Sequence, residues 1–408
     1  MKSQADRSRI EDDLAGLVSI PSLTGDEDAI QDAVAELLID AGLSVERQVI
    51  ALSEIVSDPD FPGIEVDRDH LPIVAARLKG RLPGPTRMLC GHVDVVPAGD
   101  PGSWSSPPFQ PEIRDGKLYG RGACDMKGGL VSAIEAVRMV DPEQLAGEVI
   151  VLSVPAEEDG GSGAFAAIRA GYTADACIIL EPTRLEAVVA HGGAITFTID
   201  VPGKAAHASV RREGVSALDN LHYLIAALEV DESIRNRAET RPEMAALGLP
   251  YPTIIGQVEG GTWASTVMDR VVAHGRYGVT LGQDCDDAAE DLRAAIAAAA
   301  GEHEFLAEHL PHVSVWGGRF GSASIASDHD LVASLQSAAR DIGARIPAPV
   351  GAPYGADMRL FVNHGATPTL MYGPGDVKWA HAANEHVAID EVVECAEVVA
   401  RWLVSGAQ

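Results

Sequence analysis

"LCGHVDVVPAGD", residues 89–100, is an apolar run that ends in an imidazole, a carboxylate and a loop. Leu89 and Cys90 continue the run from Met88, His92 and Asp94 follow two residues apart, and Pro97 and Gly99 break the chain. Side chains two apart on a strand point the same way, so both polar groups share one face at the very end of a predicted strand. In open α/β sheets, functional groups gather outside the carboxyl ends of the strands. The stretch therefore reads as a sheet strand delivering a reactive pair to the mouth of a site.

Outward from there, strands and helices alternate. "LPIVAARLKG" (71–80) and "RMLCGHVDVV" (87–96) read as neighbouring strands, and "GGLVSAIEAVRMV" (128–140) as an amphipathic helix. "GEVIVLSVPAEED" (147–159) and "DACIILEP" (175–182) are apolar strands that also end in acids. Residues 8–43 read as two helices around a polar turn, with Thr24 or Asp26 placed to cap the second. The pattern is α/β with a mostly parallel sheet. It changes after Glu181: "AITFTIDVPGKAAHAS" (194–209) alternates polar and apolar, and strands and helices follow in the order β-α-β-β-α. That run predicts a smaller α+β domain, residues 192–311, inserted into a catalytic domain built from 1–191 and 312–408.

The bulk numbers narrow the function. A chain of 408 residues is long for one core. A net charge of −29 repels nucleic acid and anionic membranes, so neither is expected as a partner. Cys90, Cys124, Cys177, Cys285 and Cys395 are scattered, without a C-x-x-C pair, which points to a reducing, cytoplasmic setting rather than disulfides or a thiolate zinc knuckle. The first 18 residues are charged without an apolar core and no run of about 18 apolar residues occurs, so neither a signal peptide nor a transmembrane helix is expected.

His92, Asp125, the pair Glu157–Glu158 and Glu181 all fall at predicted strand ends or strand–loop junctions, and His381 lies in the late segment "WAHAANEH". A lone histidine is ordinarily a surface or satisfied core residue, and a lone acid pair is ordinarily solvated. Their joint placement sets them apart. Carboxylate oxygens and imidazoles without thiolates suit Zn²⁺ and its neighbours. Two such ions about 3.5–4 Å apart can activate a water and polarise a carbonyl, with one further acid to carry the proton. No G-x-S-x-G elbow, H-E-x-x-H helix or phosphate-binding G-x-x-x-x-G-K-[ST] loop is present.

"GHVDVVPAGDPGSWSSPPFQPEIRDGKLYGRGACDMKGG" (91–129) strongly resembles the di-zinc peptidase and deacylase family of acetylornithine deacetylase, succinyl-diaminopimelate desuccinylase, aminoacylase and carboxypeptidase G. "VPAEEDGGSG" (154–163), "ILEPT" (179–183), "GKAAHAS" (203–209), "GADMRLF" (355–361) and "AHAANEHV" (380–387) match its other motifs in order. The resemblance implies two Zn²⁺ per subunit, replaceable by Co²⁺ or Mn²⁺. His92, Asp125 and Glu181 would hold one ion, and Asp125, Glu158 and His381 the other, with Asp125 bridging. Glu157 would be the general base and Asp94 the support of the metal site. His207 would reach the oxyanion across a homodimer formed by the inserted domain, which serves as lid and dimerisation domain. Arg359 would bind a substrate carboxylate. The peptide after Asp125 would be cis. The implied reaction is removal of an acyl group from an N-acyl amino acid; dipeptide or C-terminal peptide cleavage, or desuccinylation, remains open. A metal-free binding protein on the same fold is the alternative of a different class, and the complete ligand set argues against it. An ordinary reading stands beside two of these residues: a surface histidine for His207, and an ion pair with Asp357 for Arg359.

Overall fold

The computed structural model describes residues 4–405. The chain divides into two compact units: one formed by 1–189, 324–350 and 357–408, the other by 190–323 and 351–356.

The first unit is built on a twisted sheet. Its centre is parallel: Ala146–Val154, Leu82–His92, Ala176–Ile179 and Thr369–Met371 lie side by side in that order. Towards their carboxyl ends, from Met88 in Leu82–His92 and from Val149 in Ala146–Val154, these strands are buried because both faces are covered. Outside Ala146–Val154 the pairing turns antiparallel, first to His70–Lys79 and then to Ser44–Ala51. The two strands expected to be neighbours, 71–80 and 87–96, are thus separated. Ala146–Val154 lies between them, antiparallel to one and parallel to the other. Helix Gly128–Met139, almost wholly buried, packs against the closing helix Ile389–Val404. Gly129 allows a close approach to the sheet: a Cβ there would lie 1.9 Å from the carbonyl oxygen of Leu180. That contact brings the turn before the helix beside the strand end carrying Glu181.

Helices Arg7–Val18 and Asp28–Asp40 form as the sequence indicates, but the expected cap does not. Glu27 occupies the N-cap position of the second helix without a side-chain bond to the helix's N–H groups, and Thr24 instead donates to Asp94 Oδ2 at 3.2 Å.

The second unit is a four-stranded antiparallel sheet in the order Thr253–Gly260, Arg270–Val279, Gly193–Pro202, His312–Phe320. Helices Ala217–Ala238 and Cys285–Glu302 cover one face. Ile195, Phe197 and Ile199 from the sheet meet Leu221, Leu224, Leu292 and Ile296 from the helices. The sequence placed the end of this unit at residue 311. The structure adds a fourth strand, His312–Phe320, which pairs with Gly193–Pro202 and seats Val313 and Val315 against the core. Pairing satisfies the backbone groups that Gly193–Pro202 would otherwise leave open along that edge. No helix among the described residues is long and apolar enough to cross a membrane.

Candidate metal centre

His92 is the last residue of its central strand, and Glu181 follows Ala176–Ile179 by two residues. Glu157 and Glu158 follow Ala146–Val154 on a tight loop. Gly161 closes that loop at φ +77°, where a Cβ would lie 2.4 Å from Asp357 Oδ1. Asp125 is placed differently from the expected strand end. It sits in the irregular turn Ala123–Lys127 that leads into helix Gly128–Met139, and the Asp125–Met126 peptide is cis.

These elements converge on Asp125. Its Oδ1 lies 3.1 Å from His92 Nε2, and its Oδ2 lies 3.7 Å from His381 Nε2. Glu181 Oε1 stands 3.8 Å from His92 Nε2, and Glu158 Oε1 3.0 Å from His381 Nε2. One donor atom each from His92, Asp125 and Glu158 lie within 4.8 Å of one another. The Asp125 carboxylate thus faces two imidazoles, each with its own additional acid. His92 Nδ1 is 3.0 Å from the backbone oxygen of Asp94. A carbonyl only accepts, so Nδ1 carries a proton, and in the neutral ring Nε2 is left with the lone pair that a cation would take.

The charge balance explains what such a cluster needs. Burial pushes the carboxyl of Glu157 well above the ordinary range, and Asp357 beside it pushes the same way. Glu181 is driven up by burial, with Asp125 adding to the effect against the pull of His92. Burial raises Asp357 to about 6, opposed by Arg359. His381 is held up at about 9, chiefly by its hydrogen bond to Glu158. His92 is raised too: burial opposes its charge, but Asp125, Asp94 and Glu181 outweigh that cost. Acids that hold protons and imidazoles that gain them describe excess negative charge closed off from water. Divalent cations would relieve it, and the oxygen and nitrogen donors suit Zn²⁺.

Asp94 works mainly through its neighbours' backbone. Its carboxylate accepts from the N–H of Glu157 at Oδ1 and of Glu158 at Oδ2, both at 3.1 Å, while the Oδ1 to His92 Nδ1 distance is 3.6 Å. It therefore fixes the acid loop as much as the imidazole. Arg359 stands close to the same loop. It is 2% exposed, and Nη2 donates to the carbonyl of Gly160 at 2.6 Å. That contact ties the guanidinium to the acid loop. His207 lies in the second unit, exposed, at the start of the turn Ala208–Glu213.

Several residues were missed by sequence reasoning. Glu385, fully buried, accepts from the N–H groups of Cys124 and Asp125 and pairs with buried Arg121. Lys127, also fully buried, donates from Nζ to the carbonyls of Leu17 and Ile20, both at 3.0 Å. Only the closeness of Glu385 to His381 in "HAANEH" hinted at it, and an acid there reads equally well as a surface residue before the final helix. Cys124 is a packed side chain: burial pushes its thiol far up, and Sγ donates to Asp376 O.

Residues 88–405 match peptidase family M20/M25/M40. The chain is 31% identical over 315 residues to the acetylornithine deacetylase of Proteus mirabilis (strain HI4320), covering 74% of each. It is 27% identical over 388 residues to the acetylornithine deacetylase of Edwardsiella ictaluri (strain 93-146), covering 92% of each. In fold it is similar to the aminopeptidase PepT of Bacillus cereus ATCC 10987, with a TM-score of 0.72 and 23% identity over 99% of this chain and 100% of that one. The M20 family metallo-carboxypeptidase Sso-CP2 of Sulfolobus solfataricus gives a TM-score of 0.72 at 18% identity, over 97% and 98%.

Proposed function

The chain belongs to peptidase family M20/M25/M40, and from that premise we propose that it removes the acyl group from an N-acyl amino acid, using two Zn²⁺ ions. That it is a metal-dependent hydrolase of amide bonds follows from the family. The single observation carrying the finer reading is the two-sided environment of Asp125, with His92 and Glu181 around Oδ1 and His381 and Glu158 around Oδ2. His92, Asp125 and Glu181 would hold one ion, and Asp125, Glu158 and His381 the other. The chemistry such ions supply is polarisation of the scissile carbonyl and acidification of a water. Co²⁺ or Mn²⁺ would substitute, since the donors are oxygen and nitrogen throughout.

Glu157 takes the water's proton and delivers it to the leaving amine. A carboxyl raised by burial is suited to both halves of that transfer. Asp94 and Arg359 hold the loop on which Glu157 stands. His207 donates to the oxyanion. Its Nδ1 accepts from the N–H of Ser209 at 3.2 Å, so the ring proton sits on Nε2, the form that can donate. We place that histidine in the site of a second copy, in a homodimer formed through the second unit. That unit leaves apolar side chains in water: Val230 and Ile234 on helix Ala217–Ala238, and Ile254 and Val258 on edge strand Thr253–Gly260. The cytoplasm fits five buried, unbridged cysteines.

Chelation of the purified protein followed by addition of Zn²⁺, Co²⁺ or Mn²⁺ tests the centre. Release of free amine is followed on N-acetyl, N-formyl and N-succinyl amino acids and on dipeptides. Metal-restored hydrolysis of the N-acyl amino acids is expected. Hydrolysis of dipeptides alone would make the chain a dipeptidase, and full activity in metal-free protein would end the metal mechanism.

A further inference from the structure

The donors around Asp125 come from loops distant in sequence, and something must fix the distance between them. The turn Ala123–Lys127 is irregular: Asp125 has φ −120° and ψ 98°, so the N–H groups of Cys124 and Asp125 do not enter a regular helical ladder. Buried donors of this kind need an acceptor. Glu385 Oε1 takes both, at 2.9 Å from Cys124 N and 3.0 Å from Asp125 N. Its other oxygen lies 2.6 Å from Arg121 Nη1, and both partners are about 2% exposed or less. The backbone of Glu385 adds a further tie, its carbonyl accepting from Gly120 N at 2.9 Å.

Glu385 stands on the same loop as His381, four residues on. That loop is held in an unusual course, with His381 at φ +59° and Asn384 at φ +61°. Asn384 provides the opposite anchor: its Oδ1 accepts from Ser105 N at 2.7 Å and its Nδ2 donates to Ser103 O at 3.2 Å. Adjacent side chains therefore clamp the loop from two sides, one to residues 103–105 and one to the turn of Asp125.

We propose that Glu385, with Arg121 and Asn384, is a positioning device that sets the separation of the bridging Asp125 carboxylate from the His381 imidazole, and so governs one ion of the pair selectively. Residues that orient metal ligands through such bonds typically change affinity by about 10–100-fold when replaced. The selectivity follows from the layout. Loss of Glu385 loosens two donors on the His381 side, Asp125 and His381, but only Asp125 on the side of His92 and Glu181. The anchor rests on the two-ion reading above.

The test is stepwise Zn²⁺ titration of chelator-treated protein, by calorimetry and by competition with a chromophoric chelator. Wild type is expected to take up two ions. Glu385→Gln keeps the shape of the side chain but gives Arg121 an amide in place of a carboxylate. It should bind one ion near wild-type affinity and the other about 10–100-fold more weakly. In a His381→Ala background the same change should cost much less, because the site it tunes is already lost. Should Glu385→Gln fail to fold, Asn384→Gly decides. It preserves the positive φ, removes the outer anchor, and should weaken the same ion in the same direction. Equal weakening of both ions, or of neither, overturns the proposal. A wild type that takes up one ion or none overturns the two-ion reading, and the anchor falls with it.

Discussion

Replacing Asp94 by Asn isolates how the acid loop is held. The carboxylate accepts from three donors: the N–H of Glu157 at Oδ1, and the N–H of Glu158 and the hydroxyl of Thr24 at Oδ2. An amide of the same shape retains one oxygen. Wherever it points, its NH₂ must face at least one backbone N–H, and that buried donor is left without an acceptor. Such a group costs about 1–3 kcal/mol, toward the upper end when the lost acceptor was charged. Spent on misplacing Glu157 and Glu158, a loss of about 1.5–3 kcal/mol corresponds to about 10–150-fold in kcat/KM. Initial rates of amine release over a range of N-acetyl amino acid concentrations measure this, with metal content determined on the same samples. The fall should appear largely in kcat, since the loop carries the proton-transfer group. If Asp94→Asn keeps kcat/KM within twofold at full metal content, Asp94 does not position the acid loop.

Other outcomes follow from the same geometry. Glu157→Gln should retain both metal ions and lose about 10²–10⁴-fold in kcat, whereas Glu158→Gln should lose metal; the reverse pattern of metal content would exchange their roles. Mixing inactive His207→Ala chains with inactive Glu157→Gln chains should recover activity once mass-tagged subunits are shown to exchange; exchange without recovery would place His207 outside its partner's site. Lys127 should make the metal-free protein's stability depend on pH. Burial lowers its ammonium from 10.5 to about 7, while Glu385 and Asp94 oppose that shift. The unfolded chain therefore holds more protons between about pH 7 and 10.5, and stability should rise across that window, with a ceiling of about 5 kcal/mol. His381, held at about 9, contributes the opposite slope to both proteins, so urea unfolding of chelated samples between pH 7.5 and 9.5 should give a more positive slope for wild type than for Lys127→Met. An unchanged slope would mean that the buried amine stays charged.

What could be read from the sequence was local. His92 and Glu181 are legible because an apolar run announces a strand, and a polar residue at its end announces a sheet mouth. The fourth strand of the second unit was assigned to the catalytic domain; its alternation is broken where the register shifts between Trp316 and Arg319, across two glycines. Thr24 misled for a related reason. A threonine ahead of a helix looks like a cap, and only the fold shows Asp94, 70 residues away, as its partner. Arg359 drew a role from its motif, and its contact with the Gly160 carbonyl on the acid loop could not be read from the sequence.

The residues least legible in sequence are those that connect loops. Arg121 and Glu385 are 264 positions apart, and neither falls on an apolar period or a strand end. A buried ion pair of this kind is weak evidence for stability, since desolvation offsets the attraction. Its retention beside Asp125 is better explained by geometry. A carboxylate can hold two adjacent N–H groups and a guanidinium at once, which no neutral side chain of that size does. The position of Asp125 therefore depends on the Glu385 charge. Loss of that charge should be read in the affinity of one metal ion before it is read in the integrity of the fold.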